Sequence, residues 1–458
     1  MNNAAVDNLR SSIAGSVFVP GDEGYAGAKA IWNGTITKQP AVIVTCAGVD
    51  DVVAAVTFAR EHQLGISVRG GGHHVAGSSL LDGGLVVDLS QMRGVTVDPV
   101  AKTARAEGGA QLGDLDRATQ QHALAVPSGL VSETGVAGLT LGGGLGWMRR
   151  KHGMTCDNLI AADVVLADGR LIHVSPEENA DLLWALRGGG WDLGVVVGLE
   201  YQAHPLGPDV WVSFLGYAWS DAKQVIRGFR EFVATAPEGF NAVCVCWTVP
   251  EMEQFPREQW GQPIVIVVGP YAGSVEEGQR VTKPLLDLGT VLGDLSGTMS
   301  WVEAQSALFD EDYPKGDRYY WRSTYLAALP DDAIDSLLGL NLERPSLRSS
   351  LDIWPLGGAI GRFGPDDSAA GHRNAPFLIG IEANWTDPAE DAANVAWTRE
   401  VGDRLRPFST GGSYMNFEDP DDASATAASH GDSMKRLQSI KQKYDPANLF
   451  RSRRGLVG

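Results

Sequence analysis

The chain has 458 residues, a formal net charge of −19 and a hydrophobic fraction of 44%, which is ordinary for globular proteins. A chain of this length rarely folds around a single hydrophobic core, so two or three domains are expected. A polyanionic surface repels phosphate backbones and anionic lipids, so neither nucleic acid nor a membrane is an expected partner. The 4 cysteines do not form a disulfide framework, and neither a secretory signal nor a membrane-spanning apolar run is present. A cytoplasmic protein is therefore predicted.

Short apolar strands alternate with helices over roughly the first two hundred residues. The predicted elements are a strand at 41–46, a helix at 50–62, strands at 66–68 and 85–89, and a helix at 111–123. This alternation predicts an α/β or α+β domain.

Beyond residue 204 the predicted strands become longer. They lie at 210–214, 242–247 and 264–268, with helices at 221–234 and 276–288 and a charged terminal helix that begins at residue 434. This pattern indicates an antiparallel sheet with helices on one face. Aromatic residues are frequent here, and the candidates for lining a substrate pocket are Trp354, Arg362 and Trp385.

Glycines cluster at 70–72, 142–144 and 188–190. The first cluster follows a predicted strand and precedes His73, so its backbone N–H groups can close on a pyrophosphate; a plain turn is the alternative. The second lies in an apolar segment, 134–146, that can lie flat against a planar ligand. It is not a Rossmann fingerprint, because no buried strand leads into it.

Several motifs occur in a fixed order, at 67–73, 134–146, 149–153, 157–159, 182–190 and 443–451. Together they resemble the vanillyl-alcohol oxidase superfamily of flavoenzymes, and within it the berberine bridge enzyme-like branch. The resemblance covers the whole chain and is densest over 41–201 and 407–451. It implies a two-domain α+β fold with an FAD-binding domain at 1–204 and 407–458 and an antiparallel-sheet substrate domain at 205–406.

FAD is the cofactor that the resemblance implies, joined through its 8α-methyl group to His73. The residues expected to contact it are Arg69, Gly70, Gly71, Gly72, His73, His74, Gly77, Ser78, Thr134, Gly135, Gly138, Gly142, Gly143, Gly146, Val195 and Asn416.

The sequence departs from many family members at the position of a second flavin link. That link comes from a cysteine, and Val131 stands at its position here. Because valine cannot form a thioether, a single covalent link at His73 is expected. In this respect the chain resembles the bacterial 6-hydroxynicotine oxidase type.

Two residues are the catalytic candidates, Tyr414 and Asn416. Tyr414 is at a family tyrosine position and can act as general base for an alcohol, or can only pack against the ring. The expected reaction is hydride transfer from a substrate C–H to flavin N5, followed by reoxidation with O2 to give hydrogen peroxide.

Three functions remain open on the sequence. The first is oxidation of an alcohol, sugar, phenolic compound or secondary metabolite. The second is oxidation or oxidative cyclisation of an amine or alkaloid, and either reaction can use an acceptor other than O2. The third is a flavin-binding interaction protein with little turnover. The sequence does not define the oligomeric state.

Overall fold

The computed structural model describes residues 3–418 and 428–451, which form a mixed α+β structure. Residues 419–427 and 452–458 of the predicted C-terminal part lie outside the described residues, as do residues 1–2.

The strands are β1 (Ser16–Phe18), β2 (Val42–Thr45), β3 (Ile66–Arg69), β4 (Leu85–Asp88), β5 (Val95–Asp98), β6 (Thr103–Glu107), β7 (Leu124–Ala125), β8 (Leu159–Val165), β9 (Leu171–Val174), β10 (Val195–Gln202), β11 (His204–Pro205), β12 (Asp209–Ala218), β13 (Val243–Thr248), β14 (Pro263–Pro270), β15 (Val291–Asp294), β16 (Gly297–Ser300), β17 (Arg318–Leu326), β18 (Ser350–Pro355) and β19 (Phe377–Trp385).

The helices are α1 (Asn3–Ser12), α2 (Tyr25–Lys29), α3 (Val49–Glu61), α4 (Leu112–Gln120), α5 (Val136–Leu141), α6 (Arg149–His152), α7 (Ala180–Leu186), α8 (Ala222–Thr235), α9 (Val275–Thr282), α10 (Trp301–Ala307), α11 (Asp331–Leu342), α12 (Asp391–Leu405) and α13 (Met434–Tyr444). None of them is long and apolar enough to cross a membrane.

Two sheets organise the N-terminal half. The first has the order β1-β2-β4-β3, and its strands β2, β4 and β3 run parallel. The second, β5-β6-β10-β8-β9, is antiparallel, and α3 contacts both β4 and β8. The chain returns to this half at its end, where Phe450 pairs with Ile66 at the edge of β3.

The middle of the chain forms one large antiparallel sheet with the order β15-β12-β14-β13-β18-β19-β17. Helices α8, α11 and α12 cover one face of it, where Leu351, Ile353 and Ile381 join the core. Side chains alternate along a strand, so Asp352 and Glu382 point from the opposite face.

The predicted antiparallel sheet with helices on one face is therefore confirmed. The predicted helix at 276–288 was wrong in its second half, because α9 ends at Thr282 and the chain continues as a 3-10 turn, Lys283–Asp287. Pro284 in this turn lacks the N–H that a longer α-helix would need. The predicted domain boundaries, after residues 204 and 406, stay a proposal.

Arg69 ends β3 beside Asp88, which ends the parallel strand β4. The Arg69 Nε donates to Asp88 Oδ1 at 3.0 Å, and Nη2 donates to Oδ2. The two side chains are 11% and 2% exposed. The Arg69 guanidinium is therefore paired with Asp88 in the protein interior, just before the glycines of the 70–72 loop.

Replacing Arg69 by leucine leaves the Asp88 carboxylate buried without its cation. The free energy of unfolding in urea should fall by about 3–5 kcal/mol. The control is Arg93→Leu, which breaks a more exposed pair with Asp114 and should cost less than about 1 kcal/mol. If both variants lost the same free energy of unfolding, the buried Arg69–Asp88 pair would not be the stronger of the two interactions.

Candidate functional site

A cavity lies between the glycine-rich loops and the face of the large sheet opposite helices α8, α11 and α12. One side is the glycine wall, which we define as residues 70–72 and 134–138. The other is the sheet wall, which we define as Trp321, Asp352, Trp354 and Glu382. The segment 414–417 contributes Tyr414, Asn416 and Phe417 between them.

The two loops of the glycine wall touch through their backbones. A Cβ atom on Gly71 would lie 2.4 Å from the Gly135 nitrogen, and one on Gly135 would lie 2.3 Å from the Gly71 nitrogen. Gly72 has a φ of +68°, a conformation that favours glycine just before His73. Glycine is therefore required at positions 71 and 135, because any side chain there would prevent this contact between the two loops.

His73 lies at the edge of the glycine wall, where the residue is half-buried and its Nε2 atom is shielded from solvent. Its Nε2 has no hydrogen-bond partner among the residues that the structure describes. Burial lowers the pKa of His73 to about 3, so the imidazole is neutral at physiological pH. A neutral imidazole with an unengaged ring nitrogen fits a residue that forms a bond to a ligand.

The neighbouring His74 is held differently, although it also lines the cavity. Its Nε2 lies 3.1 Å from the Met415 carbonyl oxygen, and its Nδ1 lies 3.1 Å from Ser78 Oγ. These contacts tie the loop after His73 to the 414–417 segment.

Most of the residues predicted to contact the cofactor come together at this cavity. Those that line it are Gly70, Gly71, Gly72, His73, His74, Ser78, Thr134, Gly135, Gly138 and Asn416. Those that do not line it are Arg69, Gly77, Gly142, Gly143, Gly146 and Val195.

The second group has roles within the chain. A Cβ atom on Gly142 would lie 2.0 Å from Asn416 Oδ1, and one on Gly146 would lie 1.4 Å from the Ser128 carbonyl oxygen. Gly77 and Gly143 have φ angles of +61° and +106°. Val195 is fully buried in the core beneath the first sheet. Direct cofactor contacts from this group remain a prediction.

Tyr414 and Asn416 form one hydrogen-bonded unit. The Tyr414 hydroxyl oxygen accepts hydrogen bonds from the Leu145 backbone nitrogen at 3.0 Å and from Asn416 Nδ2 at 2.8 Å. These bonds lower the pKa of Tyr414, but burial outweighs them and raises it above its ordinary value. A phenol in this state keeps its proton and can donate it to a ligand.

Sequence reasoning missed the two acids of the sheet wall, Asp352 and Glu382, which we call the carboxyl pair. Asp352 is opposite Gly380 in the register of β18 and β19, and Glu382 is opposite Ser350. The two residues are 3% and 2% exposed. The Tyr313 hydroxyl donates to Glu382 Oε2 at 2.7 Å, and Asp352 Oδ1 has no partner within the described residues.

The carboxyl pair is protonated more readily than ordinary acids. Burial raises the pKa of Asp352 to about 7. Burial and the nearby charge of Asp352 raise the pKa of Glu382 well above its usual range. No lysine or arginine is among the described residues that line the cavity. A single acid inside each apolar strand was the signal that could have found the pair.

The three pocket candidates from the sequence are separated in the structure. Trp354 lines the cavity. Trp385 instead lies in the core under the helices, where its Nε1 donates to Asp391 Oδ1 at 2.8 Å. Arg362 is largely exposed and pairs with Glu238. The last two predictions were wrong because these side chains leave the cavity face.

Comparison with known proteins agrees with this geometry. A family model described as an FAD binding domain matches residues 40–175, and one described as berberine and berberine like matches residues 413–456. An FAD-linked oxidoreductase of Dictyostelium discoideum is 32% identical over 98% of this chain and 95% of its own. The chain belongs to the berberine-like family of FAD-linked oxidoreductases.

Other relatives of this FAD-linked oxidoreductase differ in their substrates. The structure of 6-hydroxy-D-nicotine oxidase from Arthrobacter nicotinovorans has a TM-score of 0.86 and 27% identity, covering 97% of this chain and 98% of that one. A xylooligosaccharide oxidase of Thermothelomyces thermophilus is 29% identical over 92% of this chain and 87% of its own.

The residues present fit FAD. The glycine wall presents the bare backbone of Gly70, Gly71, Gly72, Gly135 and Gly138 to the cavity, and the unengaged His73 Nε2 lies beside it. The residues that would hold the flavin are therefore those of the glycine wall with His73, His74 and Asn416.

Gly138 tests whether the cofactor lies against the glycine wall. A Cβ atom at this position meets no other atom within 4 Å, so the protein can accommodate alanine there without a steric clash. The flavin-free Gly138→Ala protein should be as stable as the wild type or up to about 1 kcal/mol more stable. Its methyl group would enter the cavity, so the bound flavin measured by absorbance should fall.

The control for this variant is Gly27→Ala, which is equally uncrowded but does not line the cavity. It should bind flavin like the wild type. Full flavin occupancy in Gly138→Ala would show that the cofactor does not contact this position.

Proposed function

We propose that the enzyme oxidises a small molecule that carries a C–H bond next to a hydroxyl group. FAD, linked once to His73, supplies the hydride acceptor and, through its reaction with O2, the route to hydrogen peroxide. The observation that carries the proposal is the carboxyl pair, which faces the same cavity as the glycine wall.

An alcohol must lose its O–H proton as hydride leaves the adjacent carbon. Asp352 suits this step, because a base with a pKa of about 7 is partly ionised at neutral pH and still accepts a proton well. Its Oδ1 has no partner in the described part of the chain and is free to receive the substrate proton.

Two other side chains would support the base. Glu382, which holds its own proton more tightly, allows Asp352 to ionise without placing two negative charges together. The Tyr414 hydroxyl already accepts hydrogen bonds from Leu145 and Asn416, so its proton points elsewhere and can orient a substrate oxygen. Tyr414 is then a donor, and Asp352 takes the base role that the sequence suggested for Tyr414.

The pH profile checks this assignment. The base must be deprotonated, so kcat/KM should rise with pH through about 7 and then level off. In Asp352→Asn this rise should disappear, and kcat/KM should fall by about 10²–10⁴-fold.

A matched control exists at Asp116, whose pKa burial also raises to about 7. Its carboxylate accepts from Trp301 and Gln305 and does not line the cavity. Asp116→Asn should therefore keep the rise near pH 7. An unchanged pH profile in Asp352→Asn would exclude Asp352 as the base.

The proposed single flavin link rests on two features of the cavity lining. His73 offers a neutral imidazole with an unengaged nitrogen. Val131 lines the cavity at the position of the second link and carries no sulfur. One histidyl bond and no thioether is therefore the attachment that these residues can make.

Acid precipitation measures the link. The wild type should keep its yellow colour in the pellet, whereas His73→Ala should release its flavin into the supernatant. His74→Ala, which removes the neighbouring cavity imidazole, should keep its flavin in the pellet. Flavin released by the wild type would refute the covalent link and leave the FAD site itself standing.

An amine is the second candidate substrate. The carboxyl pair, the aromatic rings of Trp321 and Trp354, and the absence of lysine and arginine from the described cavity lining also suit a cation. The relatives do not favour either substrate class, since a hydroxynicotine oxidase and a xylooligosaccharide oxidase are similarly distant at 27% and 29% identity.

Anaerobic bleaching of the flavin by a panel of alcohols and amines separates the two candidates. The proposal predicts bleaching by alcohols and its loss in Asp352→Asn. Bleaching by amines alone would favour the second candidate. Rapid bleaching followed by slow reoxidation in air would identify a dehydrogenase that uses another acceptor.

A further inference from the structure

Two adjacent residues between α2 and β2, Trp32 and Asn33, hold the loop that carries His73. The Trp32 backbone nitrogen donates to the Gly72 carbonyl at 3.2 Å. Asn33 Nδ2 donates to the Val75 carbonyl at 2.6 Å. The Trp32–Asn33 dipeptide therefore binds the chain on both sides of His73, and each of its residues is 2% exposed.

The Trp32 ring also holds the His73 side chain itself. The two rings are stacked, with centroids 4.3 Å apart and planes 18° from parallel. Since His73 Nε2 has no hydrogen-bond partner among the described residues, no bond at that atom sets the ring plane. Stacking on Trp32 constrains that plane.

The opposite face of Trp32 contacts the middle part of the chain. Its ring stacks on Tyr319 with centroids 3.7 Å apart, and its Nε1 donates to the Tyr313 carbonyl at 2.8 Å. Asn33 Nδ2 donates to the Tyr319 carbonyl at 2.9 Å, and its Oδ1 accepts from the Tyr319 nitrogen at 3.2 Å. Tyr319 lies on β17, two residues before Trp321 of the sheet wall.

We propose that the Trp32–Asn33 dipeptide positions the His73 imidazole for attachment to the flavin and couples that orientation to the sheet wall. This rests on the covalent link given under the proposed function. Trp32 is a positioning residue, because it acts through His73. Its flat contact also keeps water from that side of the imidazole, which maintains the neutral ring that attachment requires.

Attachment replaces one C–H bond of the flavin 8α-methyl group by a C–N bond to the imidazole. One proton leaves the imidazole N–H and one leaves the methyl carbon. Together with two electrons they reach O2, the acceptor already named, and give hydrogen peroxide. No other reactant is needed, so the protein contributes orientation, and misplacement by about 1 Å can cost about 10²-fold in rate.

The experiment follows attachment rather than turnover. Full-length variants are incubated with FAD, total bound flavin is read from the absorbance, and the covalent share is read after acid precipitation. In Trp32→Leu the flavin should bind while covalent attachment becomes at least about tenfold slower. Trp32→Phe keeps a stacking ring and should restore most of the rate. Asn33→Ala, which frees Val75, should slow attachment less than Trp32→Leu.

The matched control is Trp385→Leu, which removes another buried tryptophan from the core under the helices. It should attach flavin at the wild-type rate even if the protein is less stable. If Trp32→Leu does not fold, Trp32→Met supplies the comparison without a ring.

The outcomes distinguish the two proposals. Wild-type attachment rates in Trp32→Leu or Trp32→Met would overturn the positioning role while the covalent link stands. Release of flavin by the acid-precipitated wild type would overturn the link itself, and the positioning role with it.

Discussion

The two glycine loops approach so closely at Gly71 and Gly135 that neither residue can carry a side chain without moving the other loop. This contact fixes the glycine wall as one surface although its halves are far apart in sequence. His73 follows directly, so its position depends on the same approach. The large sheet then closes the cavity from the other side and presents the carboxyl pair.

Burial sets the charge state of the site in a consistent way. It lowers the pKa of His73 and raises those of Asp352, Glu382 and Tyr414, so each group is shifted toward its neutral form. Asp352, at about 7, is the member that ionises near physiological pH. A cavity of neutral groups with one titratable acid is suited to moving a single proton during oxidation.

The features that could be predicted from the sequence are local. The glycine clusters, His73 and the alternation of strands are each visible within a few residues, and the predicted two-domain type of fold is confirmed. The missed features depend on contacts between distant segments. Trp32 contacts Tyr319, which is far from it in the sequence, and the carboxyl pair depends on the register of β18 and β19. The role of Arg69 likewise needed the parallel pairing of β3 with β4.

A crystal structure of the flavin-loaded enzyme tests the central claim most directly. The account predicts the flavin in the cavity, against the glycine wall, with continuous density between its 8α carbon and the His73 imidazole and the carboxyl pair facing it. A flavin bound elsewhere, or one in the cavity with its ring turned away from both His73 and Asp352, would contradict the account.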